Sequence, residues 1–204
     1  MSLLPRRTGT SSGTYSGVLS PWVAGIRAKK VARHIPPKCE VLDVGCGTGR
    51  LIRYLPSECS YVGVDEDVAA IEENRRTFPQ VGFEVLDICT RTYPFQEQSF
   101  DAIVLAAVIE HIDDPLHLMK QLFRILKPDG RLIMTTPSPF GGYIHAIMAF
   151  LGLLSRHAAE EHKDFYDLAS IKELIHPAGF ILDLFIPFQL GMNQLFIVKK
   201  APTF

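Results

Sequence analysis

Hydrophobic residues along this chain fall into short β-rich runs, separated by stretches in which they recur every three or four positions. The first run is "EVLDV", Glu40 to Val44, and "GCGTGR" follows it with glycine at 45, 47 and 49. "YVGVD" (61–65), "VGFEVLDI" (81–88) and "FDAIVLAAV" (100–108) read as three further strands. The last of these is apolar along most of its length, as a strand covered on both faces should be. "RLIRYL" after the glycines puts Leu51, Ile52 and Leu55 at helical spacing before Pro56, which predicts a helix N-terminus following the glycine loop. Residues 67–77 read as another helix. Asp114-Pro115 supplies an N-cap and a proline at the first helical position, and Leu116, Met119, Leu122, Phe123 and Leu126 continue as one apolar face.

"KPDG" then turns the chain into a fifth strand, "RLIMTT". Asp167 caps a helix through Ile175 that Gly179 closes, and "FILDLFI" and "NQLFIVKK" finish the chain. Strands alternating with helices indicate a parallel sheet covered on both faces. The final two strands have only "PFQLGM" between them, too short for a parallel crossover, so they pair as an antiparallel hairpin. The expected fold is α/β: a Rossmann-like, doubly wound seven-stranded sheet, mostly parallel with an antiparallel last strand.

Residues 1–17 are rich in Ser, Thr and Gly and read as a mobile segment, with 18–204 as a single domain. "PWVAGIRAKKVARHI" (21–35) is amphipathic and ends at Pro36-Pro37. Between the fifth strand and the Asp167 helix lie 30 residues, 137–166, where such connections ordinarily take ~2–6. An insertion at the strand ends is expected to roof a pocket, with Tyr143, His145, His162 and Tyr166 as polar contacts to an acceptor.

Composition narrows the partners. Net charge is −1, so the whole molecule has no electrostatic pull towards nucleic acid, and no NPPY-like tetrapeptide follows the fourth strand. Residues 1–39 hold seven basic side chains and no acidic one. That pattern allows the 21–35 helix to meet a membrane surface, although packing beside the first strand and closing over a ligand is the favoured reading. Cys39, Cys46, Cys59 and Cys89 form no CxxC pair, which suggests neither a zinc site nor a disulfide framework. Free thiols, the lack of a signal-peptide pattern and an apolar stretch no longer than "AIMAFLGLL" predict a soluble cytoplasmic protein.

In a doubly wound sheet, ligands bind at the carboxyl ends of the strands. Asp43 lies inside the first strand, the glycine loop follows, Asp65 ends the second strand, Asp87 the third, and Glu110-His111 comes after the fourth. An ionised carboxylate ending the second strand is placed to accept hydrogen bonds from ribose hydroxyls. A nicotinamide dinucleotide would need GxGxxG, but here the third glycine comes one position early and Arg50 stands where the pattern wants glycine.

"VLDVGCGTGR", "YVGVDED", "FEVLDI", "FDAIVLAAVIEHIDDP" and "LKPDGRLIMTTP" resemble the successive motifs of class I S-adenosylmethionine-dependent methyltransferases, over about Val41 to Lys200. The closest flavour is the group that includes small-molecule and quinone-precursor enzymes. The resemblance implies that Gly45, Cys46, Gly47 and Gly49 wrap the amino-acid end of the cofactor, with Asp43 ordering the loop. It implies further that Asp65 and Glu66 meet the ribose side, that Asp87 and Ile88 contact the adenine, and that Ala106 borders the site. S-adenosylhomocysteine would be the product. Transfer from an activated sulfonium needs mainly proximity and alignment, with His111 as general base for a hydroxyl acceptor and Glu110 on the acceptor side. Some relatives of this group use Glu-x-x-Glu-His for a divalent ion. Here Ala107 replaces the first carboxylate, so no metal is expected. The alternatives are a non-catalytic cofactor-binding or assembly protein and a dinucleotide-dependent oxidoreductase. The expected acceptor is a small molecule, lipophilic or saccharide-linked; its identity, the methylated atom and the oligomeric state are not legible.

Overall fold

The computed structural model describes residues 20–90, 92–141 and 165–202. Seven strands form one sheet: β1 Glu40–Val44, β2 Ser60–Asp65, β3 Gly82–Val85, β4 Phe100–Ala106, β5 Leu126–Pro137, β6 Phe180–Phe188 and β7 Asn193–Lys200. Their order is β3-β2-β1-β4-β5-β7-β6. β1 to β5 are parallel, and β7 runs against both β5 and β6. The expected sheet is therefore observed, reversed strand included. From β1 the chain extends first to one side and then, through β4, to the other, which opens a crevice at the carboxyl ends of these two strands.

Helices α1 (Ser20–Ala32) and α2 (Val68–Thr77) cover one face, while α3 (Pro115–Ile125) and α4 (Leu168–Ile175) cover the other. Strand alternation decides which side chains go where. Leu42, Val44, Ile103 and Leu105 pack with Leu118, Met119 and Leu122 of α3 and Ile171 of α4. Val41, Ala102, Val104 and Ile133 pack with Val31 of α1 and Ile71 of α2. Asp43 shares the parity of Val41, so it is turned towards α1 and α2. Local signals set the helix starts. Asp67 accepts from the amides of Ala69 and Ala70, Asp114 from that of His117, and Asp167 forms a reciprocal cap with Ser170.

Three expectations need correction. No α-helix follows the glycine loop: Arg50–Tyr54 is a 3₁₀ turn with Gly49 at its N-cap and no side-chain cap. Five residues before Pro56 are too few to repay helix nucleation. β3 stops at Val85, so Asp87 lies in the loop beyond it, where its carboxylate accepts the amide of Cys89 at 2.8 Å. α1 ends at Ala32, with Arg33–Ile35 completing a turn. The "KPDG" turn is real but carried within β5. Leu126 pairs with Phe100 and Arg131 with Ala102, so Lys127–Gly130 bulge from the ladder.

Candidate functional site

Backbone conformation builds the core of the site. The amides of Gly45 and Cys46 both donate to the Val64 carbonyl, at 2.8 and 3.0 Å, and so fold the chain sharply off the end of β1. Gly45 has φ +73°, and a Cβ there would run into the side chain of Val108. Only glycine satisfies both constraints. The Gly47 amide donates to Asp65 Oδ2 at 2.8 Å, and its carbonyl accepts from Asn74 Nδ2 at 2.6 Å. Asp65 Oδ1 also accepts the Asp67 amide at 3.0 Å. A carboxylate offers about four acceptor sites, so two remain for a ligand after the backbone is served.

Beside this loop lies a cavity of ≈ 80 Å³. Arg27 of α1, Asp43, Gly45, Gly47, Arg50 and Ala106 are among its lining residues. Asp43 is only 3% exposed and accepts a 2.7 Å hydrogen bond from Tyr61 Oη. Burial pushes its carboxyl up to about 7, helped by the charge of Asp65 and opposed by the Tyr61 bond. Arg27 donates from Nη2 to Asn193 Oδ1 at 3.4 Å, which spans from α1 to the start of β7. One cavity thus carries a fixed cation and a carboxyl poised between its two states.

Past β4 the chain makes an unusual bend. Ala107 adopts φ +62°, its amide donating to the Thr135 carbonyl at 2.8 Å. An alanine held in the left-handed region stores about 1 kcal/mol or more. The bend starts the turn Ile109–His111. Glu110 is 1% exposed. Burial raises its carboxyl above the usual range, and its own amide, Arg27, His111 and Thr136 oppose the rise. His111 is half-buried next to it.

The remaining positions divide by place. Cys46 is buried under the loop, its sulfur facing Gly63 of β2. Ile88 reaches back towards Gly45, and its carbonyl accepts Tyr93 Oη at 3.0 Å. Glu66, just after β2, and Asp87, in the loop after β3, are exposed. A second, larger recess of ≈ 570 Å³ opens beyond Ile88, between Cys89, Ile112, Asp113 and His117. Tyr166 is buried, and its carbonyl accepts Gln194 Nε2 at 2.7 Å. Tyr143, His145 and His162 lie outside the described residues.

Two participants were missed in the sequence. Arg27 was visible only as part of a basic helix face; its aim into the cavity comes from the packing of α1. Asn74 sits three residues after Ile71 on the buried face of α2, where an apolar residue is ordinary. A buried asparagine needs hydrogen-bond partners, and that was the available signal.

A family profile described as "Methyltransferase domain" matches residues 19–183. The demethylmenaquinone methyltransferase of Lactococcus lactis is 27% identical over 164 residues, covering 69% of this chain and 65% of that one. The mitochondrial ubiquinone biosynthesis O-methyltransferase of Bos taurus is 34% identical over 132 residues, 57% of this chain and 34% of its own. Phosphoethanolamine N-methyltransferase 1 of Arabidopsis thaliana is 29% identical, with 72% and 30% covered. The chain therefore spans between about a third and two thirds of the length of these relatives. Among solved structures, a methyltransferase in complex with the Trm112 activator of Haloferax volcanii superposes with a TM-score of 0.72 at 16% identity, covering 89% of this chain and 90% of that one. A TehB-like protein of Corynebacterium glutamicum gives 0.65 at 19%, with 86% and 87% covered. At such identities these two likenesses speak for the fold.

Proposed function

Since the chain belongs to the family of class I methyltransferase domains, we propose that it binds S-adenosylmethionine at the β1–β4 crevice and methylates a small-molecule acceptor. The observation that carries this reading is the convergence of Arg27, Asp43 and the Gly45–Gly47 loop on one cavity, with Asp65 bonded to the same loop. The donor set fits the cofactor. The cavity beside the glycine loop suits its amino-acid end, and the place of the nucleoside would be along Asp65, Ile88 and the larger recess beyond.

The cofactor, when bound, supplies a methyl group already activated on a sulfonium. Everything else falls to the chain. Arg27 binds the α-carboxylate through a charge-assisted hydrogen bond. Asp43 holds a negative charge next to the cationic centre and is itself ionised by it. Asp65 accepts from the ribose hydroxyls while holding the Gly47 amide in place, and Asn74 fixes the carbonyl of the same residue. Glu110, buried beside Arg27 and His111, orients both. His111 takes the proton of a hydroxyl acceptor. Alignment of donor and acceptor provides the remaining acceleration.

The acceptor class is read from the rim. Ser138 donates its amide to Met192 and its hydroxyl to Gly191, which ties the end of β5 to the β6–β7 turn. Around this junction Phe140 is 59% and Leu190 95% exposed. Large apolar side chains held open at the carboxyl ends of the strands support a lipophilic acceptor.

Titration calorimetry with S-adenosylhomocysteine and, separately, NAD tests the cofactor, and transfer of labelled methyl from S-adenosylmethionine to a panel of quinol, phenol and amino-alcohol acceptors tests the reaction. Binding of the homocysteine nucleoside with transfer to a lipophilic member supports the full reading. Binding without transfer to any member points to a non-catalytic binding protein. Preference for NAD overturns the reading.

A further inference from the structure

Away from this site, at the amino-terminal edge of the sheet, two cysteines 20 positions apart in sequence come together. Cys39 immediately precedes β1 and Cys59 immediately precedes β2, and their sulfurs are 3.5 Å apart. The strands pair in register from Glu40 opposite Ser60, and the Ser60 amide donates to the Cys39 carbonyl at 3.1 Å. Neighbouring strands stand roughly 4.8 Å apart, inside the Cα separation of about 4.4–6.8 Å that disulfides span. Bringing the sulfurs to bonding distance takes roughly 1.5 Å of side-chain rotation. Both thiols also lie within hydrogen-bonding reach of the Pro36 carbonyl, at 3.0 and 3.4 Å, so their positions are held from a third direction.

The two sulfurs differ in access. Cys39 is buried, and its thiol is pushed up to about 12, first by burial and then by Cys59 and the acids nearby. Cys59 is only half-buried. A reagent in solution meets Cys59 first, while Cys39 waits beside it. Cys46 is enclosed under the glycine loop, and Cys89 is exposed beside the larger recess.

We propose that Cys39 and Cys59 form a reversible dithiol–disulfide pair, oxidised by hydrogen peroxide through Cys59 and resolved by Cys39. In the first step the Cys59 sulfur attacks one peroxide oxygen. The O–O bond breaks, the sulfur is oxidised to sulfenic acid, and water leaves. In the second, the Cys39 sulfur attacks the sulfenic sulfur. The S–O bond breaks, a second water leaves, and the S–S bond forms. Two thiols and one peroxide become one disulfide and two waters, and an external dithiol reverses the reaction by exchange. The cross-link closes a loop of about 20 residues that contains all of β1 and the glycine loop, and it staples β1 to β2 at the end of the sheet opposite the cofactor cavity.

The test uses the full chain, reduced, treated with stoichiometric hydrogen peroxide, alkylated and digested with trypsin. The expected result is an intact mass lower by about 2 Da, with peptides 39–50 and 54–75 joined. Fragment ions should place the link on Cys39 rather than Cys46. Closing such a loop should raise the melting temperature by roughly 5–10 °C, and dithiothreitol should return it. Cys39→Ser and Cys59→Ser should each abolish link and shift, whereas Cys89→Ser should keep both. If Cys39→Ser fails to fold, the half-buried Cys59→Ser carries the test by itself. Oxidation of Cys59 to a sulfinic acid, roughly 32 Da heavier, with Cys39 still alkylatable would overturn the proposal. So would a link from Cys59 to Cys89.

Discussion

The two halves of the sheet end differently at their shared, ligand-facing edge. On the β3-β2-β1-β4 side, the strands run out into short connectors dense with directional constraints: Gly45 at positive φ, Gly47 bonded through both its amide and its carbonyl, Asp43 and Asp65 at the ends of β1 and β2, and Asp87 in the loop after β3. On the β5-β7-β6 side, the ends are Pro137–Gly141 and the turn Gln189–Met192, with Phe140 and Leu190 turned to solvent. In the proposed function, recognition on the first side would rest on hydrogen bonds and charge, which demand particular atoms at particular angles. On the second it would rest on apolar area, which is non-directional and tolerates many side chains. The proposal thus gives one side a fixed ligand and the other a variable one.

The sharpest way to break this division is Asp65→Ala. The variant removes the ribose acceptor and the partner of the Gly47 amide together, and hydrogen bonds to a charged group contribute about 1.5–3 kcal/mol each. Affinity for S-adenosylhomocysteine should fall on the order of 100-fold or more by calorimetry. Far-ultraviolet circular dichroism should remain that of the parent. Unchanged affinity would remove Asp65 from the site.

Next comes Arg27→Ala. Affinity for S-adenosylhomocysteine should drop roughly 10-fold, whereas affinity for 5′-methylthioadenosine, which lacks the amino-acid carboxylate, should not move. Equal losses for both ligands would show that Arg27 matters only through the placement of α1.

Asp43 sharpens the electrostatic side of the comparison through pH. Its folded value, about 7, lies above the unfolded one. The protonated form is therefore the one the fold prefers, and this contribution to stability is complete below pH ~4 and lost as pH rises to ~7. A cationic ligand reverses the preference. Affinity for S-adenosylmethionine should rise towards pH 7 and then level, with a proton released on binding at pH 6. Calorimetry in buffers of different ionisation enthalpy measures that proton. In Asp43→Asn both pH dependences should flatten.

Asn74→Ala should act more mildly, leaving the Gly47 carbonyl unsupported at about 1 kcal/mol in thermal stability and a few-fold in cofactor affinity. The smallest effect on the cofactor belongs to Leu190→Ser. It should leave S-adenosylhomocysteine binding within about 2-fold, because exposed substitutions rarely exceed ~0.5 kcal/mol, yet raise KM for lipophilic acceptors. A change confined to cofactor affinity would dissolve the proposed division of labour.

Legibility followed the range of the interactions, local against distant. The glycine loop, Asp65 at the end of β2 and the caps Asp114 and Asp167 depend on local backbone geometry, so residue type and spacing sufficed to read them, whereas Asp67, read as the first residue of a helix, is its N-cap. The short 3₁₀ turn after Gly49 was misread because Leu51, Ile52 and Leu55 have helical spacing, while nucleation over so few residues fails. Arg27, Asn74 and the Cys39–Cys59 pair were not visible as a set. Each depends on a partner 20 or more residues away, brought close by strand pairing or by helices crossing the sheet.

The sequence by itself determined the alternation of strands and helices, the hairpin at the end and the loop that turns off β1. Hydrophobic period, capping residues and glycine conformations act over a few residues, and a few residues are what a sequence displays directly. Only the tertiary structure decided that α1 aims Arg27 at the cavity, that α2 lends Asn74 to Gly47, and that burial lifts Asp43 to about 7. Those outcomes depend on which surfaces meet and how much water they exclude, quantities that exist only once the chain has packed.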